Sequence, residues 1–153
     1  MNLNTISRAL LAGLVATAAM TFMAYVVAPV MLGHPMDIAQ MLSGFAGGNW
    51  AIGMLMHLMN GIVVFPLIYL IVLYRFLPGA PWLKGILWGV VLWLSLEIVL
   101  QPMTGAGVFS TNEGGAKAVM AALVAHLIYG VLLGAITGHA GQIATVGLKE
   151  KTI

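Results

Sequence analysis

The chain has 153 residues, 61% of them hydrophobic and only 7% charged, with a mean hydropathy of +1.05. A water-soluble domain carries roughly 25% charged residues, so a surface this poor in charge is one that lipid surrounds. Six basic and four acidic residues leave a net charge of +2, too dispersed for the clustered basic face that nucleic acid requires. The absence of cysteine excludes a disulfide framework, a thiolate metal centre and a Cys nucleophile.

The length has room for one domain, 1–153. Its first span, 7–32, carries Arg8 at its start, followed by the apolar run from Ala9 to Leu32. That run is too long for the apolar core of a secretory signal, and Pro29 spoils cleavage after Ala28. It therefore reads as an uncleaved first helix. Crossing the hydrocarbon takes about 20 apolar residues, and three more runs reach that length: 49–74, 81–103 and 116–139. Every backbone N–H and C=O in lipid needs an internal partner, which makes each run a helix. The expected fold class is an all-α integral membrane protein with four transmembrane helices.

The first connection, 33–49, has its own pattern. Pro35 suits a first helical position, and Ile38, Met41, Leu42 and Phe45 share one stripe opposite Asp37 and Gln40. A short interfacial helix is expected there, ended by Gly44, Gly47 and Gly48. The second connection is a tight turn with Arg75, Pro78 and Gly79, and the third, 104–115, is rich in Gly, Ser, Thr and Asn. A tail, 140–153, closes with Lys149, Glu150 and Lys151.

Arg8, Arg75, Lys84, Lys149 and Lys151 fall on one side of this layout, against Lys117 on the other. The positive-inside rule then puts both termini in the cytoplasm of a bacterial inner membrane, with the long polar loops outside. Trp50 and Trp82 at helix starts fit an interfacial aromatic belt.

Two helices share a motif: His57-Leu58-Met59-Asn60-Gly61 aligns with His126-Leu127-Ile128-Tyr129-Gly130. Before them, Ala28-Pro29-Val30-Met31-Leu32-Gly33 matches Gln101-Pro102-Met103-Thr104-Gly105 more loosely. These matches suggest two pseudo-repeated hairpins, about 7–74 and 81–139, related by an axis along the membrane normal. Coincidence in two Leu- and Gly-rich helices is the competing reading.

Polar residues inside the spans cluster in depth. His57 and His126 fall roughly 10–15 Å below the outer surface at 1.5 Å per residue. Glu97 and Gln101 lie one turn apart near the outer end of the third helix, and His34 and Asp37 just beyond the first. Helical spacing sets Gly53, His57, Asn60, Gly61 and Val64 on one stripe, and Gly89, Trp93, Glu97 and Gln101 on another. His126, Tyr129, Gly130, Leu133, Gly134 and Thr137 make a third, and Gly13, Thr17 and Thr21 continue the pattern on the first helix. Small residues let membrane helices approach, so these faces are expected to turn inward.

Three readings compete for the cluster of His57, His126, Glu97, Asp37, Asn60, Gln101 and Tyr129. It is a structural hydrogen-bond network. It is a cofactor site, with His57 and His126 holding a b-type haem, or His34, His57, Glu97 and His126 holding zinc or copper. Or it is a proton or small-solute path. Seven of the 11 methionines fall toward the outer side; their soft thioethers suit Cu(I), but methionine is equally a flexible apolar filler. No phosphate loop, GxSxG or HExxH occurs.

The layout resembles an uncharacterised bacterial family of small four-helix inner-membrane proteins, similar to the YagU-like group. Gly13 with Thr17, Gly33-His34-Pro35-Met36-Asp37, Pro102 with Gly105-Ala106-Gly107-Val108-Phe109, and His126-Leu127-Ile128-Tyr129-Gly130 carry it. The resemblance implies a fold and no catalytic residue. Two functions are expected from the sequence. One is an accessory protein without activity of its own, packed in the bilayer as a homo-oligomer or against partner subunits such as those of a respiratory oxidase. There Trp88, Trp93, Phe65 and Tyr69 would face lipid or partner. The other is an electron-transfer protein holding haem or metal through His57 and His126.

Overall fold

A computed structural model describes residues 3–74, 76–77 and 79–138. Within these the chain is all-helical, with four helices long and apolar enough to cross a membrane: Leu3–Leu32, Trp50–Leu73, Pro81–Met103 and Gly115–Thr137. His139 and the tail, with Lys149, Glu150 and Lys151, lie outside the described residues, as do Arg75 and Pro78.

The fourth span is the hub. It packs along the first and the third, and the first also packs on the second. Glycine makes the closest of these approaches. A Cβ on Gly85 would overlap the Gly130 carbonyl oxygen, and one on Gly134 would overlap that of Pro81. A Cβ on Gly13 would run into Pro66 and the Gly61 carbonyl. Without side chains at these points the backbones interlock.

Three of the spans share a local irregularity. A π-helical turn occupies Met23–Val27, Asn60–Val64 and Leu96–Leu100, and each begins six residues before a proline: Pro29, Pro66 and Pro102. Proline has no N–H to give and its ring crowds the carbonyl four residues back. The preceding turn widens to accommodate it. The extra residue also rotates the rest of the helix, so Val64, expected inward, is 38% exposed while Pro66 is buried. A fourth widened turn, Tyr69–Leu73, ends the second span with no proline at that spacing.

The two ends of the bundle differ. At the short-loop end the spans close on one another. Tyr69 is fully buried and directs its hydroxyl to the Pro81 carbonyl at 3.4 Å, and the Tyr74 hydroxyl donates to the Gly138 carbonyl. Arg8 donates to the Ile136 carbonyl at 3.0 Å and Lys84 to that of Tyr74 at 2.9 Å, cations at the helix ends where carbonyls lack partners. The apolar core sits here, around Ala9, Ala12, Tyr69, Trp88 and Leu133. Trp88 and Tyr69 therefore do not face lipid as expected from the sequence: at 6% and 0% exposure they fill the space that the small residues of the first and fourth spans leave.

At the long-loop end a short helix, Ile38–Ser43, lies against the start of the second span, its Ala39 carbonyl over Gly53. It starts later than Pro35 because Asp37 is its N-cap, accepting the Gln40 N–H at 2.9 Å. The 3-10 turn Gly44–Ala46 ends it. Opposite, the turn Val108–Ser110 buries Ser110 while Val108 and Phe109 stay exposed.

Candidate functional site

The three proline-linked π-turns surround one cavity. Met23 and Val27, Asn60 and Gly61, and Leu96 and Leu100 all line it. It measures about 1110 Å³ and occupies the half of the bundle nearer the long loops. Its floor is set where the second and third spans meet, with the Phe65 and Trp88 rings edge to face at 6.3 Å between centroids. Below them the core is closed. Above them Ser95 of the third span lines the cavity and is exposed, so it opens sideways beside that span. His34, Thr104 and Glu113, all exposed, mark its mouth at the long-loop end.

Both intramembrane histidines line this cavity and are buried. The network fixes their tautomers. Thr21 Oγ1 gives its one proton to the Thr17 carbonyl at 2.7 Å. At 2.9 Å from His57 Nε2 it can then only accept, so His57 carries its proton on Nε2 and its lone pair on Nδ1. His126 Nδ1 lies 2.8 Å from the Ala122 carbonyl, which only accepts. Its proton is therefore on Nδ1 and its lone pair on Nε2. Each neutral ring brings one acceptor nitrogen to the cavity wall.

Other polar groups share that wall. Asn60 and Tyr129 line it, the Tyr129 hydroxyl tying the fourth span to the Gly61 carbonyl at 2.7 Å. Trp88 and Thr17 line it too, but Trp88 Nε1 and Thr17 Oγ1 are closed off from its surface and have no hydrogen-bond partner. Buried donors of this kind cost free energy unless something pairs with them.

Asp37 and Gln101 also line the cavity, toward the mouth. Asp37 accepts from the Tyr25 hydroxyl at 2.5 Å and from Trp50 Nε1 at 3.1 Å. Burial pushes its carboxyl up. The hydrogen bonds from Tyr25, the Gln40 N–H and Trp50 outweigh that and hold it below the ordinary carboxylate value.

Glu97 stands apart. Trp88, Leu92 and Leu96 carry the cavity face of the third span, and Glu97 lies one residue round from them. Its stripe turns to the fourth span instead: Gly89 abuts the His126 carbonyl, and Trp93 Nε1 donates to the Val119 carbonyl at 3.3 Å. There Glu97 is wholly buried, accepting from the Ser110 hydroxyl at 3.1 Å, while its other oxygen has no partner. Ser110 accepts in turn from Gln101 Nε2 at 2.9 Å. The set His34, His57, Glu97 and His126 is thus divided, with His34 exposed at the mouth and Glu97 behind the cavity wall. Among the described residues no three His, Asp or Glu side chains gather as a metal site.

The sequence does not single out Ser110, Tyr25 or Trp88 as parts of a polar site. Ser110 sits in an irregular loop where no periodicity points to a face. Tyr25 and Trp88 reach their places across widened or closely packed turns that an ideal helical wheel does not reproduce.

No curated protein and no solved structure matches this chain. A family model does match it, over residues 3–146, and on that match the chain belongs to the Family of unknown function (DUF6789).

Proposed function

We propose that this membrane protein binds a lipid-soluble amphiphile in its cavity, head down among His57, Asn60, His126 and Tyr129 and body among the apolar walls. The observation that supports it most is the pairing of a cavity of about 1110 Å³ with convergent polar groups at its closed end. That is the form of a small-molecule site, apolar with a few placed polar atoms. The sideways opening past Ser95 gives a ligand from the bilayer a way in.

The orientation proposed with it puts Arg8 and Lys84 at the cytoplasmic face of a bacterial inner membrane, so that the cavity mouth faces outward. The protein acts there as an accessory to a larger membrane assembly, bringing or holding the ligand. The relationship to the YagU-like group is part of this proposal and rests on the short motifs that carry it.

A second reading, haem or metal between His57 and His126, draws on one feature. An imidazole whose Nδ1–H binds a backbone carbonyl, as in His126, presents Nε2 the way ligating histidines do. His57 differs, since its Nε2 is turned to Thr21.

The test is purification in mild detergent, organic extraction and mass spectrometry, with a visible spectrum of the same sample. The proposal expects a lipid-soluble small molecule near one per chain, depleted in Ser95→Trp, whose bulk blocks the side opening at an exposed position. Subunits that accompany the chain appear in the same measurement. A Soret band would decide for haem, and an extract with no bound lipophile would overturn the amphiphile reading.

A further inference from the structure

We infer that the head of the ligand is an aromatic diol of the hydroquinone class, bound through its hydroxyl protons. This rests on the amphiphile reading above and narrows it to one chemistry. The fixed tautomers of the two histidines carry it. His57 Nε2–H is engaged by Thr21 and His126 Nδ1–H by Ala122, so what both rings offer the cavity is a lone pair. A head that fits must donate twice. A diol does; a carboxylate or a dicarbonyl sets acceptors against acceptors and leaves both imidazole nitrogens unpaired.

A planar ring is what the walls are built to hold. Met20, Met23, Met31, Met36, Met41 and Met103, six of the chain's 11 methionines, line this single cavity. Thioether sulfur is polarisable and packs favourably against aromatic rings. Trp88 and Phe65, already edge to face, supply the floor. An apolar tail on the ring leaves past the exposed Ser95 into the bilayer.

The experiment is isothermal titration of the detergent-solubilised chain under argon with decylubiquinol, decylubiquinone and dodecanol, which is long and apolar with one hydroxyl and no ring. The diol is expected to bind at least about tenfold tighter than the dicarbonyl, the factor that even one of the two unpaired acceptors accounts for, and dodecanol more weakly than either. In His126→Phe, which keeps a ring and loses the lone pair, the preference for the reduced form falls toward parity while decylubiquinone binding persists. Equal affinity for both redox forms in the unmodified chain, or dodecanol binding best, overturns the hydroquinone assignment and leaves the amphiphile reading standing. No binding of any of the three, together with a lipid-free extract, brings down both.

Discussion

Gly85 and Gly130 meet backbone to backbone, each standing where the other's carbonyl leaves no space for a Cβ. The contact seats the third span on the fourth and with it fixes where His126 stands relative to the cavity. Gly130→Val should therefore cost at least about 2 kcal/mol, in the range of overpacked cores, read as a lowered unfolding temperature in detergent. Gly44→Ala is the control: its Cβ would meet nothing within 4 Å, and a change within about 0.5 kcal/mol is expected.

Thr21 decides the tautomer of His57. Thr21→Val removes the hydroxyl at nearly the same volume, leaving the Nε2–H of His57 without its acceptor. Interhelical polar contacts in membranes average about 0.6 kcal/mol, so the stability change is small. The informative readout is the nitrogen-15 spectrum of labelled histidine. His57 should show an Nε2-protonated ring in the unmodified chain and a mixture in the variant. An unchanged spectrum would mean that Thr21 does not set the proton.

Much of this was legible in the residues. The four spans follow from hydropathy alone, because lipid permits nothing but paired backbone. The inward faces of the fourth span follow from helical spacing, and His126, Tyr129, Gly130, Leu133, Gly134 and Thr137 are all buried. Its regular helix, unbroken from Gly115 to Thr137, is why a helical wheel works there. Where a π-turn intervenes, the wheel slips, as at Val64. The separation of Glu97 from the histidines was not legible, since a difference of one residue on the third span decides between the cavity and the seam with the fourth. The proposal of two repeated hairpins draws support from Pro29 and Pro102, each behind a π-turn in the first and third spans. Pro66 has no counterpart in the fourth.

Asp37 links the mouth of the cavity to pH. Burial raises its carboxyl and hydrogen bonds from Tyr25, Gln40 and Trp50 lower it by more, so its folded value lies below the unfolded one. The stabilisation is then complete above the ordinary carboxylate range and disappears as pH falls through the folded value. Hydrogen-exchange protection over Ile38–Ser43, taken relative to the intrinsic rate at each pH, should be high at pH 6 and fall below about pH 4, the ordinary aspartate value. Asp37→Ala should show the lowered protection at every pH, with a loss of about 1 kcal/mol for the missing cap.

The Ser110 hydroxyl is the one group that meets the Glu97 carboxyl among the described contacts, and Ser110 sits at φ 50° next to Phe109 at φ 51°. Both are left-handed positions that L residues adopt at a cost. Ser110→Ala keeps the strain and strips the carboxyl, and should cost about 1–3 kcal/mol. Ser110→Gly also strips it but relieves the backbone, so it should be the milder of the two. Glu97→Gln keeps an acceptor for Ser110 in the same shape and should leave unfolding unchanged or raise its temperature. Thermal unfolding of the three variants side by side checks the order, and Ser110→Gly proving worse than Ser110→Ala would show that strain is not stored there.

Orientation can be read from a chain that carries no cysteine of its own. Arg8 and Lys84 cap helix ends at the short-loop face, while Lys117 is the basic residue at the other. Basic residues are retained on the cytoplasmic side, so the long loops and the cavity mouth should be outside. Ser7 and Thr111 are exposed at opposite ends of the bundle, which makes Ser7→Cys and Thr111→Cys matched reporters. A membrane-impermeant maleimide added to intact spheroplasts should label Thr111→Cys fully and Ser7→Cys only after lysis. The reverse pattern would turn the cavity toward the cytoplasm, and a ligand with a water-facing head would then have to be sought on that side.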